Sequence, residues 1–382
     1  MKILQIVSAF YPAVHFGGPI HSLYGLCNVL AKQGIEVEVL TTDASGPGQK
    51  RVRVSAFPMI FPAGYPVYFV RSMFYQDVAP GMLWQMVRLM RRANLVHLTG
   101  VYSWPTVPCL LMARWLGKPL VWSPRGALQH WKGGRKHLAK SVWDLLCRVV
   151  APKGFVFHVT SEEEGQESLR RYPGAAVEVI PNGVETPTNV NHVEAPGSVR
   201  LLYLGRLDPK KGIENLLEAC HRLKGSMGSS WSLTIAGVGN LRYTQTLQAQ
   251  IKSLTLSDRV QMVGQVTGET KRELFENSDL LVMPSFTESF GMVVAESLAH
   301  GVPVIASRGS PWKRVNQMQC GLWVDSTPEA LAHAIEQMAQ MPLREMGQRG
   351  RDWMLKEFSW EQKAEDMTAL YERLLKRKDD TL

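Results

Sequence analysis

No apolar run in the 382-residue chain approaches the roughly 18 residues that a bilayer-spanning helix requires. At the start, Lys2 is followed only by Ile3 to Val7, too short for a signal-peptide core and better suited to a buried strand. Cysteine is scarce. Cys27, Cys109, Cys147, Cys220 and Cys320 are odd in number, scattered and never in a CxxC pair. That argues against a disulfide framework or structural zinc site and fits a reducing cytosol. There is no D-x-D tripeptide, no HExxH and no comparable ligand cluster, so metal-dependent chemistry has no signature here and no cofactor is expected. Low-complexity tracts and short repeats are also missing. With 45% hydrophobic and 20% charged residues, disorder is excluded. The length predicts two domains, each able to bury its own core.

Acidic residues are missing from one region. Residues 88–153 hold 12 Lys/Arg and a single acid, Asp144, and the net charge of +9 falls entirely within residues 1–185. Six of the 11 tryptophans lie in this part of the chain: Trp84, Trp104, Trp115, Trp122, Trp131 and Trp143. Cations mixed with Trp and Leu on the helical stretches 82–92 and 131–150 suit an anionic membrane surface. Ordinary helices with a solvated basic face are the alternative. No nucleic-acid partner is expected, since no recognised binding module accompanies the charge.

What is present is alternation. In the first half, strand patterns at 2–8, 35–41, 67–71, 94–98, 119–123, 155–159 and 176–180 alternate with helical stretches at 18–33, 81–92, 105–116, 136–150 and 161–171. In the second half, strands at 199–204, 231–236, 259–263, 279–283, 302–306 and 321–324 alternate with helices at 212–224, 241–254, 269–277, 291–300, 327–340 and 360–376. This order predicts an α/β protein with two doubly wound parallel sheets, over 1–185 and 198–358. The polar, Pro-containing stretch 186–198 reads as the linker. Ligands bind at strand carboxyl ends, so the cleft between two such sheets is the expected site.

Three stretches of the second half carry chemistry. In Leu204-Gly-Arg-Leu-Asp-Pro-Lys-Lys-Gly-Ile213, Arg206 and Lys211 stand between a strand and a helix N-terminus, a place for a diphosphate. Ala236-Gly-Val-Gly-Asn240 is a lone GxG and reads as a tight turn. In Pro284-Ser-Phe-Thr-Glu-Ser-Phe-Gly-Met-Val-Val-Ala-Glu-Ser-Leu298, Glu288 lies in a loop and Glu296 in the following helix. Gly291 opens backbone N–H groups at the start of that helix. A carboxylate in so apolar a helix needs a partner, for which ribose hydroxyls are suitable.

In combination, the Gly-Arg206…Lys211-Gly loop and the ESFGMVVAE segment resemble the retaining GT-B glycosyltransferases of family 4, of the bacterial polysaccharide and lipopolysaccharide type. Phe10-Tyr-Pro…Gly17-Gly18-Pro, His97 and Ser123-Pro-Arg-Gly-Ala-Leu128 match as well. The resemblance implies two Rossmann-like domains, with the last helix returning to the first. Arg206 and Lys211 would hold the donor diphosphate and Glu296 the ribose. Glu288, with the N–H groups of Phe290 and Gly291, would orient the donor sugar. Gly17 and Gly18 would let the first loop approach the phosphates, His97 would lie beside the transferring sugar, and Arg125 would line the acceptor side. The implied reaction is transfer, with retention, from a UDP- or GDP-sugar, and the missing D-x-D tripeptide makes metal independence the expectation. The basic, Trp-rich first domain makes a lipid-linked saccharide or other glycan the expected acceptor and the cytoplasmic face of the membrane, with peripheral attachment, the expected location. Three other readings remain: a sugar-nucleotide epimerase or hydrolase of the same fold, a transferase to a soluble acceptor, and a basic membrane-binding protein without activity.

Overall fold

The computed structural model describes residues 1–13, 17–46, 50–55, 57–73, 78–129, 137–193, 197–228 and 230–379. The chain divides into two units, Met1–Gly183 with Trp360–Leu382, and Val184–Ser359.

The first unit runs β1 (Lys2–Val7), α1 (Gly18–Lys32), β2 (Glu36–Thr42), β3 (Met59–Ile60), β4 (Pro66–Val70), α2 (Met82–Arg92), β5 (Leu95–Thr99), α3 (Thr106–Trp115), β6 (Leu120–Ser123), α4 (His137–Val150), β7 (Val156–Val159), α5 (Glu162–Arg171) and β8 (Ala176–Val179). Its sheet has the order β3-β4-β2-β1-β5-β6-β7-β8, parallel except where β3 pairs with β4. The middle strands are covered on both faces, which is why β1, β5 and β6 read as nearly continuous apolar runs. Helix α5 shows local agreement of sequence and structure. Ser161 caps it, three glutamates fill its first turn, and Arg170 and Arg171 close it.

The second unit runs β9 (Val199–Leu204), a 3₁₀ turn at Pro209–Lys211, α6 (Ile213–Ser226), β10 (Trp231–Ala236), α7 (Leu241–Ser253), β11 (Val260–Gly264), α8 (Gly268–Glu276), β12 (Leu280–Met283), α9 (Met292–Ala299), β13 (Val304–Ser307), α10 (Arg314–Gln317), β14 (Gly321–Val324), α11 (Pro328–Ala339) and α12 (Leu343–Glu357). Its sheet, β11-β10-β9-β12-β13-β14, is parallel throughout. Strand order reverses between β9 and β12, the switch point at which open α/β sheets bind ligands. Both charged loops of the second half leave the sheet there.

Helix α13 (Trp360–Asp379) belongs to the first unit. Trp360 is packed so closely against two glycines that an added Cβ at Gly25 or Gly183 would come within 2.5 Å of its ring. Ala364, Met367, Leu370, Tyr371 and Leu374 continue the seam into the core beside β1, β5 and α1.

The short strand β3 and the one-turn helix α10 have no counterpart in the sequence expectation, and two larger differences affect packing. Helix α12 was not foreseen. Its glycines dilute the periodic signal, yet they are packing positions: a Cβ at Gly347 would reach 1.8 Å from the Gly301 carbonyl oxygen. The stretch expected as a linker is instead tied to the second unit. Arg351 Nη2 donates to Thr188 O at 3.2 Å, and Val193 N–H donates to Glu276 O at 3.1 Å. Residues 194–196 of that stretch and 131–136 of the basic one lie outside the described residues. No helix among the described residues is long and apolar enough to cross a membrane.

Candidate active site

The loop after β9 is shaped by three local devices. Asp208 caps the 3₁₀ turn, its Oδ1 accepting Lys210 N–H at 3.1 Å. Gly212 follows at φ 65°, where a Cβ would sit 2.3 Å from the Pro284 carbonyl oxygen. Phe286 N–H then donates to Lys210 O at 2.9 Å. Together these lay the loop against the one that leaves β12, and Lys211 Nζ pairs with Glu288 Oε1. Ser285 Oγ donates to the same oxygen at 2.9 Å, fixing the carboxylate, while Glu288 N–H donates to Gly309 O at 2.8 Å.

Three cations therefore share one corner. Arg206 is exposed, with its backbone held by the Tyr203 hydroxyl, which donates to Arg206 O at 2.9 Å. Burial, with Arg206 and Lys211 beside it, pushes the Lys210 ammonium below the usual lysine range. Like charges so placed repel unless an anion joins them. Glu288 and Asp208 offset part of this repulsion, and the three cations leave the corner suited to an anion.

The GxG turn does not cradle a ligand through its glycines. A Cβ at Gly237 would lie 1.8 Å from Gly205 O, and one at Gly239 would lie 2.0 Å from Leu207 O. Both glycines let backbone pack on backbone behind the Arg206 loop, with Leu207 N–H donating to Val238 O at 2.9 Å.

Gly291 is the N-cap of α9, at φ 80°, and no side chain caps the helix. Its first N–H groups are therefore available to a ligand. Phe290 is a packing anchor. Its ring packs at a tilt against those of Trp312 and Phe358, and the Trp312 indole N–H donates to its carbonyl. Glu296 has a partner that the sequence did not announce: Lys271 on α8, its Nζ 2.6 Å from Glu296 Oε1. The carboxylate is half-buried and paired with an ammonium, so its burial alone does not call for ribose hydroxyls.

In the first unit, Gly17 takes φ 83° as the N-cap of α1 and Gly18 begins that helix. Both stand where the β1 loop meets the helix, and residues 14–16 between them and Ala13 lie outside the described residues. His97 departs from expectation. It is fully buried, so it does not stand beside a transferring sugar. Its Nδ1 lies 2.7 Å from the Tyr371 hydroxyl, its Nε2 lies 2.7 Å from Ser123 Oγ, and that oxygen lies 2.8 Å from His158 Nδ1. His158 Nε2 reaches Ile180 O at 3.0 Å, and a carbonyl only accepts. The protons follow. His158 donates from Nε2, Ser123 donates to His158, His97 donates from Nε2 to Ser123, and Tyr371 donates to His97 Nδ1. Burial holds both rings neutral, with His97 pushed down to about 3 and His158 also well below the usual histidine value. The ring is a core group that ties α13 to the sheet.

Arg125 takes a left-handed backbone, φ 54°, and donates from Nη1 to Asn182 Oδ1 at 2.6 Å. Glu164 clamps the same turn by accepting from Gly126 N–H and from Thr160. The guanidinium lines a small cavity with Ser22, His158, Asn182, Trp360 and Lys363 inside the first unit.

Two α/β units, each built on a predominantly parallel sheet, are the architecture of the GT-B glycosyltransferases. The chain belongs to this enzyme group: residues 16–187 match the profile of Glycosyltransferase Family 4, and residues 188–353 match that of Glycosyl transferases group 1. It is 25% identical to an uncharacterized glycosyltransferase of Methanocaldococcus jannaschii, over 97% of this chain and 98% of that one. It is 30% identical to a GDP-mannose-dependent alpha-(1-6)-phosphatidylinositol monomannoside mannosyltransferase of Mycolicibacterium smegmatis, over 49% and 54%. In fold it matches sucrose-phosphate synthase from Thermosynechococcus elongatus at TM-score 0.76 and 20% identity, covering 99% and 100% of the two chains. Anabaena HepE, solved with UDP-glucose, gives 0.73 at 17% identity over 97% and 99%.

Proposed function

We propose that the enzyme moves a sugar from a UDP- or GDP-sugar to a lipid-linked saccharide in the synthesis of cell-surface polysaccharide. The observation that carries this is the corner of Arg206, Lys210 and Lys211 against Glu288, at the switch point of the second sheet. The mannosyltransferase relative, named for a phosphatidylinositol monomannoside, favours a lipid-linked acceptor and a GDP donor. HepE, bound to UDP-glucose, favours UDP.

Transfer breaks the bond between the anomeric carbon and the donor's β-phosphate oxygen, and the electron pair leaves on that oxygen. Arg206, Lys211 and the N–H groups at the start of α9 meet the growing charge without reorganising. These fixed cations take the part that a bound metal ion plays elsewhere, so the reaction needs no metal. The acceptor hydroxyl forms the new bond on the face the phosphate leaves and passes its proton to that phosphate, giving retention. Glu288, fixed by Lys211 and Ser285, orients the sugar, and Glu296 exchanges its lysine for the ribose. The enzyme works as a peripheral protein at the cytoplasmic face of the membrane, where the basic first unit meets anionic lipid.

A thermal-shift panel of UDP, GDP, ADP, dTDP and their sugars, run with and without EDTA, tests the reading, since a ligand bound only by the native state raises its melting point. One nucleoside diphosphate and its sugar should raise Tm whether or not EDTA is present. No shift from any of them, or a shift that EDTA removes, would refute it.

A further inference from the structure

Helix α4 wears its apolar face outward. Its single acid, Asp144, points inward and is held by the Tyr102 hydroxyl at 3.0 Å and Arg171 Nη1 at 2.6 Å. Cys147 is buried on the same side. Val142, Leu145, Leu146 and Val149, spaced as one helical stripe, point to solvent. A helix of a soluble protein does the reverse. Helix α3 lies alongside, joined to α4 by Arg114 Nη1, which donates to Val149 O at 2.5 Å. It adds Leu111 and Trp115 to the surface, and the six side chains are between 43% and 69% exposed. Large apolar side chains gathered in this way mark a surface with a partner.

The charge around them identifies the partner. Arg114 and Arg148 are exposed on the same two helices, with Lys153 just beyond α4. On neighbouring α2, Arg91 is exposed and Arg88 lies over the exposed Trp84 ring, 5.6 Å from its centroid. The one acid of this stretch is turned inward and paired, so nothing in it opposes a negative surface. Two copies meeting through this face would bring cation against cation. An aliphatic stripe with tryptophan and arginine around it matches the boundary between acyl chains and anionic headgroups.

We infer that the α3–α4 face is the membrane seat: Val142, Leu145, Leu146 and Val149 enter the interfacial layer of an anionic bilayer while Arg114, Arg148 and Lys153 meet its phosphates. The inference rests on the peripheral reading above and adds the surface that performs it. Vesicle flotation of the full chain tests it, using phosphatidylcholine alone and phosphatidylcholine mixed with phosphatidylglycerol. Wild type should float with the mixed vesicles only, and added salt should release it. Val142→Glu/Leu145→Glu/Val149→Glu changes exposed positions only, so its Tm and donor binding should match wild type, and its partitioning should fall about tenfold or more. Leu111→Ser/Trp115→Ser should weaken flotation in the same direction. If both variants float like wild type, this face is wrong while the peripheral reading stands. If wild type stays down with mixed vesicles, both fail. If wild type elutes as a dimer that the triple variant splits, the face is a self-interface and the inference is overturned.

Discussion

In the proposed reaction Lys211 meets the leaving diphosphate, and in the structure its ammonium pairs with Glu288. Removing one preplaced donor of this kind costs about 2.7–4 kcal/mol of transition-state stabilisation, a factor of about 10²–10³. Steady-state kinetics of Lys211→Ala should show that fall in kcat with the fold intact by circular dichroism, and near-normal turnover would remove Lys211 from the site. The buried pair His97 and His158 sets a different expectation. Their folded-state values lie below the ordinary 6.5, so the unfolded chain takes up protons first as pH falls. Stability is therefore complete above about pH 6.5 and declines towards about 3 for His97, by at most about 1.4 kcal/mol per pH unit for one ring. Denaturant melts across that window should follow this slope, and a flat profile would contradict the neutral assignment. The sequence could name His97 but not its burial, because period-two alternation tells which side of a strand a residue takes and not what covers that side. The cover is Tyr371, 274 positions away. Lys271 escaped for the same reason: nothing local marks it as the partner of Glu296.

The elements that carry the site were legible where strand and turn chemistry is local. The strand over 199–204, the basic loop and the helix beginning beside Gly291 stand where the pattern put them. Less legible was what the glycines do. The GxG turn and α12 both use glycine for backbone approach, which in sequence reads only as a tight turn in one case and as a broken helix in the other. Gly212 makes the point testable. Gly212→Ala would force both a left-handed backbone and a clash with Pro284 O, strain of about 1–3 kcal/mol. The loop should shift rather than the sheet unfold, so donor Kd should weaken well before Tm falls far. Unchanged donor affinity would show that the loop does not depend on that contact.

At the scale of the whole molecule, the chain leaves its first unit at Gly183 and re-enters it at Trp360. Ending the chain after Ser359 strips the first unit of Trp360, Met367, Leu370, Tyr371 and Leu374 and removes the shorter of the two hydrogen bonds to His97 Nδ1, leaving the Gln5 amide at 3.2 Å, so the truncated protein should lose the cooperative melting of that unit. A milder change, Tyr371→Phe, removes only the hydroxyl and should cost about 1–3 kcal/mol, read from chemical denaturation. Both changes fall within the first unit, whereas the cations proposed for the donor all belong to Val184–Ser359. That corner is the central claim, and a crystal structure of the protein with its nucleoside diphosphate bound tests it most directly. The diphosphate should lie within hydrogen-bond reach of the Arg206 guanidinium and the Lys211 ammonium, with the N–H groups at the start of α9 alongside. A diphosphate seated on any other part of the protein would contradict it.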